Sequence, residues 1–352
     1  MTPLAEKLVR RIESFGPITI ADYMAACLGD PEHGYYMTRE PFGAAGDFVT
    51  APEVSQMFGE LIGLWAVATW QRMGSPASFV LAEIGPGRGT LMSDALRAAR
   101  IAPAFEQAAR VMLVETSPRL RAIQAQTLAG HAPVWAERAE DLPDGPTILI
   151  ANELFDALPV RQFVRTAGGW SERMVGLSDG RLVFGLRPDA HFDGADASAP
   201  EGAVVETASI SSAIMANLAG RLNRFGGAFL VIDYGHAESG FGDTLQALRD
   251  HAFDAPLANP GEADLTVHVD FAALARTAEA NGAHASAIWT QGDFLLALGL
   301  LERAGRLGTG KDAATQAAIR AAVDRLAGPD QMGQLFKVLC VTGGDLVAPP
   351  FG

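Results

Sequence analysis

The chain contains the segment FVLAEIGPGRGTL at residues 79–91. The residues before Gly85 form a short apolar run, which is typical of a buried parallel strand. Gly85, Gly87 and Gly89 follow, and glycine lets a backbone turn tightly and come close to a ligand. Apolar residues then return at the spacing of one helix face over residues 91–99. The segment therefore predicts a strand, a glycine turn and a helix whose N-terminus lies beside a ligand.

Strand-like and helix-like runs alternate from this segment onward. A helix is predicted at 118–128, and further strands are predicted at 111–116, 133–137, 147–153, 226–235, 285–290 and 334–343. Such alternation is typical of a parallel sheet with helices on both faces. The sequence therefore predicts an α/β fold.

Two regions depart from this alternation. Residues 1–75 read as mainly helical, which predicts an N-terminal helical cap on a main domain at 76–352. Residues 160–187 alternate between apolar and polar positions with glycine turns between the runs, which predicts an antiparallel β meander. We expect this meander to be an insertion in the main domain at about 160–203.

Composition excludes several classes of protein. The chain has 352 residues with a formal net charge of −14, which disfavours nucleic acid as a partner. The charge suits a cationic partner, with a surface whose acidity only keeps the protein in solution as the alternative. The sequence has neither an apolar run of the ~18 residues that a membrane span needs nor a secretory signal, so no membrane insertion is expected. Its two cysteines, Cys27 and Cys340, form no disulfide or zinc pattern, which fits a reducing cytoplasm.

Glu83, two residues before the first glycine, narrows the choice of ligand. Dinucleotide sites use the wider spacing G-x-G-x-x-G, and a carboxylate beside a phosphate would be repelled. The same carboxylate suits S-adenosylmethionine (SAM), which carries a sulfonium and an ammonium group but no phosphate. SAM is therefore the expected cofactor, with NAD or FAD, or a glycine turn that only packs a helix on a sheet, as alternatives.

Acidic residues follow the next two predicted strands. Glu115 ends the second strand, where its carboxylate could accept both ribose hydroxyls of the cofactor. Asp141 follows the third strand, where it could accept from an adenine amino group. An acid at the end of the second strand would also suit NAD, so only Glu83 and the glycine spacing discriminate between the cofactors.

The fourth predicted strand ends in ANELFDALP, residues 151–159. Open α/β sheets bind their ligands at this edge, so Asn152, Glu153 and Asp156 are the candidate catalytic residues. Methyl transfer from a sulfonium is an in-line displacement that depends mainly on alignment. If the acceptor is a guanidinium, carboxylates would bind it and fix its plane. The alternative is that Asp156 only caps a helix and that Glu153 is solvated.

Two further segments have the composition of site loops. Residues 44–56 contain Asp47 and Glu53, and residues 261–271 contain Asp264 and His268, all four of which are candidate substrate-binding residues. Asp270 is expected to be a helix N-cap. The histidines are not at metal-ligand spacing, so no metal is assigned.

Several motifs resemble those of the MidA-type family of SAM-dependent methyltransferases, which includes a mitochondrial complex I assembly factor described as a protein arginine methyltransferase. The matching motifs span residues 7 to about 340 and are GPITIADYM, HGYY, GDFVTAPEVSQMFGELIG, EIGPGRGTL, NELFDALPV, DYG, DLTVHVDF and MGQLFKVL. The resemblance implies a class I methyltransferase fold with a seven-stranded Rossmann-like sheet. It also implies SAM binding at Glu83 and the three glycines, and symmetric ω-N methylation of an arginine on a partner subunit.

The expected function is therefore a protein arginine ω-N-methyltransferase that acts on a subunit of respiratory complex I, the NADH–quinone oxidoreductase, during assembly. Three alternatives are a small-molecule methyltransferase, a SAM-binding assembly chaperone without turnover, and a dehydrogenase. Mitochondrial members carry a transit peptide, whereas this sequence starts at the first helix of the family, so a bacterial cytoplasm is expected. The sequence does not indicate the oligomeric state.

Overall fold

The computed structural model describes residues 1–39, 50–188, 192 and 198–351, so the candidate residue Asp47 lies outside the described residues. The helices are α1 (Pro3–Phe15), α2 (Ile20–Gly29), α3 (Tyr35–Thr38), α4 (Ala51–Val54), α5 (Gln56–Arg72), α6 (Thr90–Ala99), α7 (Pro103–Ala108), α8 (Pro118–Thr127), α9 (Ser209–Phe225), α10 (Phe271–Ala280), α11 (Gln291–Ala297), α12 (Leu300–Gly308), α13 (Ala313–Ala327) and α14 (Met332–Leu335). None of these described helices is long and apolar enough to cross a membrane.

The strands are β1 (Ile18–Thr19), β2 (Phe79–Ile84), β3 (Ala109–Val114), β4 (Val134–Ala136), β5 (Thr147–Asn152), β6 (Arg161–Thr166), β7 (Gly169–Ser178), β8 (Arg181–Arg187), β9 (Val204–Thr207), β10 (Gly227–His236), β11 (Gln246–Arg249), β12 (Ala252–Asp254), β13 (Asp264–Thr266), β14 (Val269–Asp270), β15 (His284–Ala285), β16 (Trp289–Thr290) and β17 (Phe336–Thr342). Two 3-10 turns occupy Ala139–Asp141 and Phe155–Ala157.

The chain divides into two compact units. The first, here called the sheet unit, consists of Val49–Phe155, Ser212–Glu238 and Val269–Gly352. The second, here called the meander unit, consists of Met1–Phe48, Asp156–Ser211 and Ser239–His268. Each unit is therefore built from three separate stretches of the chain.

This division differs from the boundary that the sequence predicted at residue 75. The helix α5 belongs to the sheet unit, because its Phe58, Leu61 and Trp65 are buried in the same core as the strands β2 and β5. The meander also extends beyond the expected insertion at about 160–203, since it shares its unit with the N-terminal helices and with residues 239–268. Helical character along residues 1–75 did not indicate which core each helix joins.

The sheet unit contains a mixed sheet with the strand order β15-β17-β10-β5-β2-β3-β4. The five strands from β10 to β4 are parallel, as the alternation of strands and helices predicted. Strand β17, however, runs antiparallel to β10, so the sheet is mixed. The short strands β14 and β16 pair with β10 and β17, respectively, outside this order. The sheet therefore has nine strands among the described residues.

Residues 285–290 do not form the single strand that their composition predicted. Instead β15 and β16 pair separately with β17. Between them, the backbone N–H of Ser286 donates to the carbonyl of Cys340 at 2.8 Å, and the Oγ of Ser286, in place of a backbone carbonyl, accepts from the N–H of Cys340 at 3.1 Å. Strands of two residues have no periodicity, so no sequence pattern could have separated them.

The predicted antiparallel meander is present in the meander unit. Its sheet has the order β1-β7-β6-β9, with β8 paired to β7, and all of these pairs are antiparallel. The buried face of α1 packs in the core of this unit through Leu4, Leu8 and Ile12. Phe15, three residues after Ile12, continues the same spacing but is 87% exposed. It is the last residue of the helix, where the regular spacing ends.

Candidate active site

The glycine turn between β2 and α6 has the geometry that its sequence predicted. Gly85, Gly87 and Gly89 have φ angles of +66°, +52° and +80°, a region that residues with a side chain rarely adopt. The backbone N–H of Gly89 donates to the carbonyl of Pro86 at 2.7 Å, which closes the turn. Helix α6 begins at the next residue, with Gly89 as its N-cap. The first amides of α6 therefore follow directly on the turn.

Strand register places three predicted polar residues on one face of the sheet. Glu83 on β2 pairs with Leu113 of β3 and with Ile150 of β5. Glu115 and Asn152 lie two positions beyond these partners, and the N–H of Glu115 continues the ladder by donating to Ala136 at 3.0 Å. Because side chains two residues apart along a strand share a face, Glu83, Glu115 and Asn152 all point to the same side.

Glu83 is a buried carboxylate with an unused oxygen. Its side chain is only 3% exposed, and its Oε2 has no hydrogen-bond partner among the described residues. Burial raises the pKa of Glu83 to about 8, and a hydrogen bond from the backbone of Met92 offsets only part of this effect. A cationic group placed beside this oxygen would stabilise the carboxylate. The site thus fits a cationic ligand at the position that the sequence predicted.

Glu115 is held at both of its carboxylate oxygens. Its Oε1 accepts from the backbone N–H of Ser117 at 2.8 Å, and its Oε2 accepts from Nε2 of Gln124 at 3.2 Å. Burial raises the pKa of Glu115, and these hydrogen bonds act in the opposite direction. Each oxygen keeps capacity for another donor, as binding of a ribose diol would require. Gln124, which the sequence reasoning missed, also donates to the carbonyl of Gly87 at 2.8 Å.

Asp141 lies in the 3-10 turn that follows β4 and is exposed. Its Oδ2 accepts from the backbone N–H of Arg138 at 3.2 Å, so this carboxylate caps its own turn. The structure gives no contact between Asp141 and the other predicted cofactor residues. Its proposed role in binding adenine stays a prediction.

The side chains of Asn152 and Glu153 are hydrogen-bonded to each other at the end of β5. Asn152 Nδ2 donates to Glu153 Oε1 at 3.0 Å, and the same oxygen accepts from the backbone N–H of Ala51 at 2.9 Å. Glu153 has a φ of +50°, a left-handed conformation that is uncommon for a residue with a side chain. The carboxylate of Asp233 holds this turn, since it accepts from the amides of Leu154 and Phe155 at 3.1 and 2.9 Å. Asp233, the first residue of the DYG motif, thus stabilises the turn that follows β5.

The loop residue Glu53 also belongs to this region of the sheet unit. Thr90, the first residue of α6, donates its hydroxyl to Glu53 Oε1 at 2.6 Å. Together with the hydrogen bond between Ala51 and Glu153, this contact joins α4 both to the start of α6 and to the end of β5. The sheet unit therefore brings Glu53, Asn152 and Glu153 together with the cofactor residues.

The remaining candidates lie in the meander unit. Asp156 and Asp264 are each 6% exposed, and the hydroxyl of Tyr36 donates to Asp264 Oδ1 at 3.0 Å. The pKa of Tyr36 is raised by burial and by the charges of both acids, which indicates that the three side chains are neighbours. His268 is tied through its backbone, whose N–H donates to Thr244 Oγ1 at 2.9 Å.

The expectation for Asp270 was confirmed, whereas two other residues had no signal in the sequence. Asp270 is an N-cap, since its side chain accepts from the N–H of Ala273 at 2.8 Å at the start of α10. Tyr36 and Gln124 were missed, because one tyrosine or one glutamine in a helix has no distinguishing pattern. Within the described ranges, no three His, Cys, Asp or Glu side chains are grouped so as to hold a metal ion.

Comparison with known proteins identifies the family of the chain. Residues 61–288 match the family model described as "Putative S-adenosyl-L-methionine-dependent methyltransferase". The chain is 37% identical to the Drosophila melanogaster homologue of the mitochondrial protein arginine methyltransferase NDUFAF7, over 98% of this chain and 86% of the relative. It is 36% identical to human NDUFAF7, over 96% of this chain and 82% of the relative.

A solved structure from Burkholderia thailandensis, which holds bound S-adenosyl-homocysteine, superposes on this chain with a TM-score of 0.86. The two are 29% identical, and the match covers 99% of this chain and 95% of the other. A native crystal structure from the same organism superposes with a TM-score of 0.84 at 30% identity, covering 99% of this chain and 94% of the other. The chain therefore belongs to this family of SAM-dependent methyltransferases, and SAM is its cofactor.

Proposed function

We propose that this enzyme transfers the methyl group of SAM to an ω-nitrogen of an arginine side chain in a partner protein. The proposed partner is a subunit of respiratory complex I, which is methylated while the complex is being assembled. The relatives named as protein arginine methyltransferases match nearly the whole chain, which supports a protein acceptor. The chain's net charge of −14 favours a cationic segment as substrate and disfavours nucleic acid. When bound, the cofactor supplies an electrophilic methyl group, and the residues of the chain bind and orient the acceptor.

The main observation that supports a nitrogen atom as the methyl acceptor concerns Asn152. Asn152 is only 8% exposed, and its Oδ1 has no hydrogen-bond partner among the residues that the structure describes. Because the carboxylate of Glu153 can only accept, the NH₂ group of Asn152 must face it. The carbonyl oxygen of Asn152 is thereby left to accept a hydrogen bond on the face that Glu83 shares. An N–H group of a guanidinium is a suitable donor to it.

The other candidates take proposed roles that follow from their contacts. Glu153 holds Asn152 in this orientation and adds negative charge near it. Asp156, proposed as a catalytic acid, and Asp264, proposed as a substrate contact, are both buried acids of the meander unit. Asp141 is proposed to accept from the adenine of the cofactor. Glu53, Asp47 and His268 are proposed as further contacts to the protein substrate.

We place this activity in a bacterial cytoplasm. Cys27 and Cys340 are both free and buried, which fits a reducing compartment. The named relatives are mitochondrial proteins.

Methyl labelling tests the proposed function. The protein is incubated with methyl-labelled SAM and a lysate from a strain of its own organism that lacks the gene, so that the acceptor is unmethylated. We expect the label on an arginine of a complex I subunit, located by mass spectrometry of digested protein. Gly87→Val, which forces a β-branched residue into a φ of +52° in the glycine turn, is the matched control and should transfer no label.

Two results would contradict the proposal. Label recovered in a small molecule would make the enzyme a small-molecule methyltransferase. Bound SAM with no label transferred to any acceptor would indicate an assembly chaperone that uses SAM as a structural ligand.

A further inference from the structure

Gln124 is a fully buried glutamine on the inner face of α8, with no exposed surface. Its Nε2 donates to the carbonyl of Gly87 at 2.8 Å and to Glu115 Oε2 at 3.2 Å. Its Oε1 accepts from the indole N–H of Trp135 at 2.8 Å. A carbonyl and a carboxylate only accept, and an indole N–H only donates, so the orientation of this amide is settled by its partners.

Packing alone does not require an amide at this position. Leu120, one turn earlier on the same face of α8, is 4% exposed and fills the equivalent place with an apolar side chain. Burying a polar amide is unfavourable unless its hydrogen bonds are made. Here both donors are used, and they join the glycine turn to the carboxylate at the end of β3. The polar residue therefore connects two parts of the cofactor site.

The consequence for Glu115 is that its carboxylate has one orientation. Ser117 holds Oε1 from the backbone, and Gln124 holds Oε2 from α8. A side chain held at both oxygens loses little conformational freedom when a ligand binds, which favours affinity. Without Gln124, Oε2 would lose its hydrogen bond from α8, and the carboxylate would be freer to rotate away from the ligand.

We propose that Gln124 is a positioning residue of the cofactor site, which holds Glu115 so that its carboxylate accepts both ribose hydroxyls of the cofactor. The inference rests on the role proposed for Glu115. It deepens the cofactor assignment by naming the residues that make binding depend on the ribose hydroxyls. It requires neither a particular methyl acceptor nor turnover. A purely structural role for Gln124 would affect all ligands of the site alike, whereas the positioning role affects only those with ribose hydroxyls.

Calorimetry with two ligands separates these roles. S-adenosyl-homocysteine and its 2′,3′-dideoxy analogue are titrated into the wild-type protein and into Gln124→Met, which keeps the length of the side chain but has no hydrogen-bonding amide. In the wild type we expect the dideoxy analogue to bind about 100-fold more weakly, since two hydrogen bonds to a charged group are lost. In Gln124→Met we expect this ratio to fall to about tenfold or less, because Glu115 is no longer oriented.

Matched variants make the test specific. Gln126→Leu changes an exposed glutamine on the same helix and should keep the wild-type ratio. In a Glu115→Gln background, adding Gln124→Met should leave the ratio unchanged, because the group that Gln124 positions has already lost its charge. Should Gln124→Met fold poorly by circular dichroism, Trp135→Phe, which removes only the indole donor to Gln124, gives the second variant and should lower the ratio in the same direction.

The possible failures can be told apart. An unchanged ratio in Gln124→Met and in Trp135→Phe, with both variants folded, would overturn the positioning role while leaving the cofactor assignment intact. A wild-type ratio near one would overturn the role of Glu115 and the inference with it. Absence of S-adenosyl-homocysteine binding by the wild type would overturn the inference together with the cofactor on which the proposed function depends.

Discussion

Glu83 combines burial with an unused oxygen, and this combination makes cofactor binding depend on pH. In the ligand-free protein its pKa is raised to about 8 by burial, so it is mostly protonated at neutral pH. A cation beside the carboxylate favours the ionised form, so SAM binding is expected to release a proton. Below the pKa, the ionised fraction rises nearly tenfold with each pH unit, and the affinity for SAM should rise by about tenfold from pH 6 to pH 7.

Titration calorimetry at the two pH values checks this expectation. Glu83→Gln has no proton to release, so its weaker affinity should be the same at both. A wild-type affinity that does not change between pH 6 and pH 7 would show that Glu83 does not face the cation.

The pair Asn152 and Glu153 leads to a second expectation at the scale of single residues. In Glu153→Gln the new amide can donate, so Asn152 is free to turn over and present its NH₂ group where its carbonyl oxygen was. The acceptor would then meet a donor instead of an oxygen. Single-turnover methyl transfer should fall by about 100-fold or more, the size of effect seen when one positioned polar group is lost from an active site.

SAM affinity separates the roles that this pair could have. It should stay within about threefold of the wild type in Glu153→Gln, since no proposed contact to the cofactor is changed. Glu140→Gln, at an exposed site, is the control and should change neither quantity. Equal losses of affinity and of transfer would place Glu153 in the binding of the cofactor instead.

The residues that sequence analysis found are those whose position in the chain already implied their place in the fold. Glu83, Glu115 and Asn152 each lie near the carboxyl end of a predicted strand, and parallel strands bring these ends to one edge of the sheet. Gln124 and Tyr36 contact partners that are distant or unremarkable in the sequence, such as Asp264 for Tyr36. Their roles arise from tertiary contacts and could not be predicted from local pattern.

At the scale of helices and strands, α5 is joined to two other helices by one buried carboxylate. Glu60 on α5 is 6% exposed and accepts from Arg97 of α6 at 2.9 Å and from Arg303 of α12 at 2.6 Å. Both arginines would lose a charged partner in Glu60→Gln. The free energy of unfolding should fall by about 1–3 kcal/mol, since bonds between charged groups are among the stronger ones.

Urea unfolding followed by circular dichroism measures this change. Glu106→Gln, at an exposed position of α7, is the control and should stay within about 0.5 kcal/mol of the wild type. An equally small effect in Glu60→Gln would mean that apolar packing alone holds α12 against α5.

Long elements were predicted better than short ones for a physical reason. The helix α6 and the strands β2 and β5 have enough residues for periodicity and apolar character to be read along them. The two-residue strands β15 and β16 form only because each pairs with β17. The direction of β17 is likewise set by packing, because an apolar run reads the same whether the strand is parallel or antiparallel.

At the scale of the whole molecule, the meander unit gathers segments that are far apart in the chain. The hydroxyl of Thr2 donates to the carbonyl of Pro260 at 2.7 Å, and that of Tyr23 donates to the carbonyl of Pro256 at 2.6 Å. Such contacts span more than 200 residues and have no local signature, which is why the sequence placed the N-terminal helices in a cap of their own.

The two units lead to the last expectation, which concerns where cofactor binding stabilises the protein. The residues assigned to the cofactor all belong to the sheet unit. A ligand that binds only the folded form adds about 2.7 kcal/mol of stability at 100 times its dissociation constant. Hydrogen exchange followed by mass spectrometry should therefore show slower exchange in residues 79–90 and 111–128 on adding S-adenosyl-homocysteine. Strands β6, β7 and β8 of the meander unit should exchange at nearly their original rates, and Gly87→Val should show no protection in either unit. Equal protection of both units would instead mean that they unfold as one cooperative body, so that the stability supplied at the glycine turn reaches every segment of the chain.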